Sequence, residues 1–384
     1  MKTYYPSYYK NFICIADKCP ITCCQEWNIG VDDTTYDRWC HTAPPNDMPP
    51  YLHKVLSDYT SLREHQHMIT LNDEKKCPFL CKNKLCRLVL HHGDDILSET
   101  CTMFPREYHH FATHTEASLM PACPAVLDLW QMQPQLLFPK ISEIITLSPE
   151  EQILFQVRDH ILQIVQCPDY SPELSLLESF YILSELPTTA LSGTLLADYF
   201  STETQTQLSA AITNMDFSTE DMLYECNELL QDLAVNYQKE GLYEEFLTPL
   251  LDLAGSISTN SYPADLSQKW KLFRAHWDKH APLLRAFLSN EIFADLLLPD
   301  NDLNGMLIHL QWIGMEYAAI RYSIFLSWLL SGEHPLTYND IRDAIVILTR
   351  MTGYDDDDIY EYLENSFESL YWEWGYFAMI LADV

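Results

Sequence analysis

Apolar residues recur every three to four positions from residue 148 to the end of the chain, the spacing of helices with one buried face. Ser148-Pro149-Glu150-Glu151 opens the first of these helices with a serine cap, a proline at the first helical position and acids in the first turn. Ile153, Leu154, Val157, Ile161, Leu162 and Val165 follow at helical spacing. Ser171-Pro172-Glu173 repeats the start ahead of Leu176, Leu177, Phe180 and Leu183, and Ser218-Thr219-Glu220-Asp221 opens a third helix through Leu223, Leu229, Leu230 and Leu233. Further helices are predicted over Ala264–Leu298 (interrupted), Leu303–Leu330, Thr337–Thr349 and Asp356–Leu381. Strand alternation is absent after residue 125.

The first 125 residues have another texture. Pro20, Pro44-Pro45, Pro49-Pro50, Pro78, Pro105, Pro121 and Pro124 break them into short pieces, with room for helices over Asp32–Trp39 and Val55–Leu62. The expected fold is mainly α. An irregular, cysteine-rich, metal-binding N-terminal region, residues 1–127, precedes an all-α acidic helical domain, residues 148–384, divisible into two sub-bundles.

Composition narrows the function. Of 384 residues 47% are hydrophobic and 12% aromatic, enough for real cores. No secretory signal opens the chain and no apolar run is long enough to span a bilayer; Ala318–Leu330 is too short and carries Arg321. The reading is a cytoplasmic protein with no membrane partner, in which thiols stay reduced. The net charge of −32 is uneven: residues 1–125 hold 12 Lys and Arg against 15 Asp and Glu, residues 126–384 hold 11 against 40. Such a surface repels phosphate, so nucleic acid is excluded as a partner, while a basic partner would be attracted. No two glycines are separated by one residue, so the Gly-x-Gly turn of a doubly wound cofactor domain is missing, as are a P-loop and a nucleophile elbow.

Ten of the twelve cysteines lie in the first 123 residues. They run Cys14-x4-Cys19-x3-Cys23-Cys24, then Cys40, Cys77-x3-Cys81-x4-Cys86, Cys101 and Cys123. Thiolates gathered this way suit zinc, copper(I) or iron–sulfur clusters and not calcium or magnesium. The expected metal ligands are drawn from Cys14, Cys19, Cys23, Cys24, Cys77, Cys86, Cys101 and Cys123, with Cys40, Cys81, Cys167 and Cys226 as bystanders. Paired Cys-x2-Cys knuckles are missing, which favours a 4Fe-4S cluster over zinc. His91-His92 and His109-His110-x3-His114 read as structural histidines, Asp355–Asp358 as a helix start, and Tyr4, Tyr5, Tyr8 and Tyr9 as a packing surface.

These blocks resemble a known family. Tyr4-Tyr5-Pro6-Ser7-Tyr8-Tyr9-Lys10-Asn11-Phe12-Ile13-Cys14-Ile15 with Cys19-Pro20-Ile21-Thr22-Cys23-Cys24-Gln25-Glu26-Trp27 looks like the opening of flagellin lysine N-methylases. Cys77-Pro78-Phe79-Leu80 with Leu85-Cys86-Arg87, then Thr100-Cys101-Thr102-Met103-Phe104-Pro105-Arg106 and Ala122-Cys123-Pro124-Ala125, resemble its later cysteine blocks and those of the wider CxxxCC zinc- or iron-chelating proteins. Thr102 stands where the pattern leads one to expect arginine, and Ser98 where some members carry cysteine. The likeness covers about residues 1–127; the helical remainder is similar in length and texture only.

The resemblance implies an S-adenosylmethionine-dependent methyltransferase that modifies lysine side chains of flagellin and holds an iron–sulfur or other metal centre. Catalytic and cofactor-binding residues are not assigned. The rival readings are a non-catalytic iron- or zinc-binding protein and an interaction protein whose metal is purely structural.

Overall fold

A computed structural model describes residues 1–48, 54–63, 65–133, 135–186, 192–259, 265–353 and 356–382. The fold is mainly helical, and beyond Leu119 the regular elements of the described residues are all helices. Helix starts follow the local signals. Ser148 accepts from the Glu151 amide while the Glu151 carboxylate accepts from the Ser148 amide at 3.0 Å, a reciprocal cap that opens the helix Pro149–Gln166. Ser171 and Ser218 cap Pro172–Glu185 and Thr219–Glu240 through their hydroxyls alone, which accept from the Leu174 and Asp221 amides.

The segment expected as one interrupted helix resolves into Leu266–Trp277 and Ala281–Ala294, and the last into Asp356–Phe367 and Trp374–Leu381; Ala264 and Asp355 lie outside the described residues. Gly193–Tyr199, Thr202–Thr213 and Glu244–Thr259 are additional helices.

Leu303–Leu330 is the axis of the bundle. Twenty-three of its residues are buried, on every face, so it has no polar side to show to water. No helix among the described residues is long and apolar enough to cross a membrane. Inside the bundle, Arg321 meets Glu173 at 3.3 Å and the carbonyls of Ile380 and Leu381, and Glu173 also accepts from Trp277 and Tyr317.

The N-terminal region departs from the expected irregularity. It holds two small sheets. One has the order β1-β6-β5, with β1 (Thr3–Tyr4) parallel to β6 (Thr115–Leu119) and β5 (Arg106–His110) antiparallel to it. The other, β2-β4-β3, pairs Gly30–Val31 and Thr60–Arg63 with Gln66–Ile69. The helix expected over Val55–Leu62 is a 3-10 turn, Leu56–Tyr59, running into β3; two- to five-residue strands offer too little alternation to be seen. Two hydrophobic cores result. Ile29, Val31, Trp39, Leu56, Phe79, Leu88 and Ile96 form a small one. Tyr8, Phe12, Phe111, Leu119, Val126 and Trp130 belong instead to the large core of the helices. The sheet of β1, β5 and β6 is thus part of the helical body, pinned by Arg158, whose guanidinium grips Glu116 of β6 at 2.6 and 2.7 Å.

Candidate active site and metal centre

The expected metal ligands occupy turns and helix caps, where the backbone carries side chains inward without a regular ladder. Cys19 ends the 3-10 turn Ala16–Lys18, Cys86 precedes the helix Arg87–His92, Cys101 lies in Glu99–Met103, and Cys123 precedes Pro124–Gln131. The Cys77 amide donates to the Cys24 carbonyl at 2.8 Å, joining the first two cysteine blocks. Ser98 serves as a cap, its hydroxyl accepting from the Cys101 amide.

Cys23 is the hub. Its thiol is brought down to about 7, chiefly by the hydrogen bond with Cys24, against burial and with help from Arg350. Cys24 is pushed far up by that same bond, by burial and by the proximity of Cys23, Cys77 and Cys101. Burial raises Cys19 and Cys101 to about 11 and Cys123 to about 12, and each also feels Cys23. Cys77 and Cys86 are raised by burial and likewise feel Cys23. Cys14 is exposed at the edge, beside Cys19. All twelve cysteines are free thiols. Of the bystanders, Cys81 lies next to Cys86, and Cys226 is buried far off against the Ile380 carbonyl.

A shell of buried and half-buried thiols, raised by burial, around one low-lying thiol is a soft donor set that fits a zinc ion or an iron–sulfur cluster, because a metal replaces the protons that burial otherwise favours. The sulfurs do not close to the spacing of a tight three-ligand site. Among the described residues the one such grouping, with donor atoms within 4.8 Å of one another, is Glu107, His109 and Asp295.

That trio borders a cavity. About 640 Å³ in volume, it lies between β5 (Glu107, His109), the segment Met120–Ala122, the end of Ala281–Ala294 (Glu291, with Asp295 beyond it), the axial helix (His309, Trp312, Ile313, Glu316) and the end of Tyr338–Thr352 (Thr349, Thr352). Glu107, Glu291, Asp295, Glu316 and Asp357 line it, with neither lysine nor arginine among its described lining. Burial pushes Glu316 up to about 7, although the Thr352 hydroxyl donates to it. Burial, then the neighbouring Glu316, pushes Glu291 well above the carboxylate range. Two buried acids paired with arginine behave differently, while Glu178, held only by the Ser209 hydroxyl, is also raised to about 7 by burial. In Glu116 and Glu173 burial also acts upward, but arginines override it and leave both below the ordinary value.

Another cavity, about 580 Å³, has the opposite sign: Lys76, Lys82, Lys84 and Arg87 surround it beside Cys77 and Cys81, against Glu74 alone.

Arg350 joins the cysteine shell to the acidic cavity. Its guanidinium donates to the carbonyls of Ile21, Thr22 and Ala122, bonds the Tyr243 hydroxyl, and lies 5.2 Å from the Trp27 ring. Thr349 and Thr352, its helix neighbours, face the cavity.

Sequence reading missed the acidic cavity. Its signal was present only as His309 and Glu316, two of the few polar residues of a mostly apolar helix, at a spacing of seven. His109, expected to be structural, is one of the trio. Tyr8 is fully buried, stacking edge-on against Trp130, as a packing residue should.

Comparison with known proteins bears on the helical part. The sequence model of the FliB lysine N-methylase C-terminal domain matches residues 158–380, more than half of the chain. The likeness is therefore sequence-specific in the region expected to be similar in length and texture only. The chain is also 29% identical over 126 residues to a lysine-N-methylase of Salmonella typhimurium and to one of Salmonella choleraesuis, a match spanning 32% of this chain and 30% of each relative. A flagellar biosynthetic protein FliU of Salmonella muenchen is 29% identical over 126 residues, 72% of its own length. No solved structure matches. With the C-terminal family domain spanning the axial helix and the far wall of the acidic cavity, this chain belongs to the FliB lysine N-methylase family.

Proposed function

We propose that this protein is a cytoplasmic S-adenosylmethionine-dependent methyltransferase that modifies lysine side chains of flagellin, with a cysteine-held iron–sulfur cluster or zinc ion. The relatives' names support lysine methylation and a flagellar setting. The observation that carries the reading is the sign of the acidic cavity. Both reactants are cations, an ammonium and a sulfonium, and bringing them together in a buried site costs Coulomb repulsion unless the walls are negative. A cavity lined by five carboxylic acids supplies that compensation.

When bound, S-adenosylmethionine supplies an electrophilic methyl group. The protein's task is to hold the lysine nitrogen in line with it and to keep water out. The cysteines suited to a metal are those around Cys23, and when bound the metal supplies a cross-link between loops drawn from residues 19–24, 77–86 and 101 or a docking point for the cofactor's amino and carboxylate groups.

The test is incubation of anaerobically purified protein, assayed for metal and acid-labile sulfide, with flagellin and methyl-labelled S-adenosylmethionine. Label at flagellin lysines, located by peptide mass spectrometry, is the expected result. Fully metal-loaded protein that neither binds S-adenosylmethionine nor labels flagellin would instead favour a metal-binding protein without catalysis.

A further inference from the structure

We propose that the acidic cavity is the acceptor pocket, that Trp312 flanks the lysine alkyl chain, and that Glu316 takes the proton from the lysine ammonium. This inference rests on the methyltransferase reading and assigns residues to it.

Three observations converge. First, the cavity is large enough for an extended lysine side chain, and its polar groups are acceptors of the sign an ammonium needs. Second, Glu316 is buried within it, and its partners are the Thr352 hydroxyl and the neighbouring Glu291 carboxyl rather than an arginine. Two other buried acids, Glu116 and Glu173, are neutralised by Arg158 and Arg321, whereas Glu178, likewise held by one hydroxyl, that of Ser209, lies outside the cavity lining; what sets Glu316 apart is that it borders the cavity beside a second buried acid. A pair of buried acids left without such a cation is costly to keep, and the cost makes sense where a cation arrives with the substrate. Third, Trp312 lies one turn before Glu316 on the same helical face, so an aromatic wall and a carboxyl border one opening.

The geometry also separates the two glutamates. Glu291 accepts from the Asn290 side-chain amide at 2.9 Å; that amide also donates to the Leu119 carbonyl, and the Asn290 oxygen accepts from Tyr8. Glu291 is tied through Asn290 to the Leu119 carbonyl of β6 and to Tyr8. Glu316 is held by one hydroxyl and is free to exchange a proton. The other titratable groups lining the cavity with it are Glu107, His109, Asp295, His309 and Asp357.

The step balances. The Glu316 carboxylate accepts one proton from R–NH3+, leaving R–NH2 and a carboxylic acid. The nitrogen lone pair then forms the N–C bond as the methyl–sulfur bond breaks. That electron pair returns to sulfur as a neutral thioether, and the product is R–NH2CH3+.

The test uses the full-length, metal-loaded protein in two arms. In the first, calorimetry measures binding of Nα-acetyl-lysine methylamide, with the norleucine analogue as control, to wild type, Glu316→Gln and Asp295→Asn. Lysine binding in wild type, absent for norleucine and weakened at least tenfold in both variants, is the expected result. No lysine binding, with manganese or zinc binding that Glu107→Gln and Asp295→Asn abolish, would make the trio a metal site and overturn the proposal. In the second arm, Glu316→Gln should lower kcat about 100-fold, as loss of a general base does, leave KM for S-adenosylmethionine unchanged and flatten the acid limb of the kcat profile. Lysine binding without wild-type turnover would count against the methyltransferase reading and leave the pocket standing. Wild-type turnover that Glu316→Gln leaves intact would overturn the base assignment alone.

Discussion

Arg350 donates to the carbonyl of Thr22 at 3.3 Å, so the last turn of one C-terminal helix holds the loop that presents Cys19, Cys23 and Cys24. The same guanidinium holds Ala122, which borders the acidic cavity and precedes Cys123. Replacing Arg350 with methionine keeps bulk and removes the donors, leaving several buried acceptors unpaired. Such groups cost about 1–3 kcal/mol each, so a total loss of roughly 3 kcal/mol or more is expected in denaturant unfolding. Without metal, Cys19 and Cys23 should also react faster with a thiol reagent, which mass mapping of labelled peptides would reveal.

Serine in place of Cys23, Cys24, Cys77, Cys86 or Cys101 should deplete metal, since a hydroxyl is a poor ligand for soft metals. Substitution of Cys167 or Cys226 should leave metal in place. Metal and sulfide content per chain decides it; full loading in most of the first set would overturn the assignment.

Metal removal should loosen the small core selectively. Ligation organises loop-rich chain that a small core cannot hold alone, whereas Tyr8, Leu119 and Trp130 are anchored in the large one. Limited proteolysis of chelated protein should cut between about residues 16 and 101 and retain the segment of β5 and β6 with the helices. Equal resistance throughout would show that the metal is not a folding element.

Gly314 allows the axial helix to meet the last one. A Cβ there would lie 2.3 Å from Phe377, which is fully buried and stacks on Phe180. Gly314→Ala should therefore destabilise by about 1–3 kcal/mol through overpacking, despite alanine's better helix propensity. Phe377→Leu in the same chain should recover part of the loss, as measured by a double-mutant cycle.

The Glu316 carboxyl, raised to about 7 from an ordinary 4.5, makes stability depend on pH. The folded state holds its proton where the unfolded chain has released it, so this contribution is present below 4.5 and is lost as pH rises through 7. Glu316→Gln carries no such titration and should gain on wild type by up to about 3 kcal/mol between pH 5 and pH 8. Thermal midpoints of both proteins across that range, with wild type falling relative to the variant, would confirm it; parallel curves would contradict it.

Helices and thiols were legible along the chain because their signals are local. Ser148, Ser171 and Ser218 bond amides three residues on, and Leu303–Leu330 took its predicted bounds because Asp302 caps its start on the Gly305 amide and Gly332, at positive φ, follows its end. The cysteines announced themselves by element chemistry, which needs no fold to be recognised. The short strands did not, since pairing across more than 100 residues, as between Thr3 and Thr115, leaves no periodicity to read. Nor did the acidic cavity. Glu107, Glu291, Glu316 and Thr352 come from four separate elements. Glu316 is one acid among 55 acidic residues until packing places it beside Glu291 rather than an arginine. Whether a buried carboxylate is a structural ion pair or a proton acceptor depends on what faces it, and only the tertiary structure decided that.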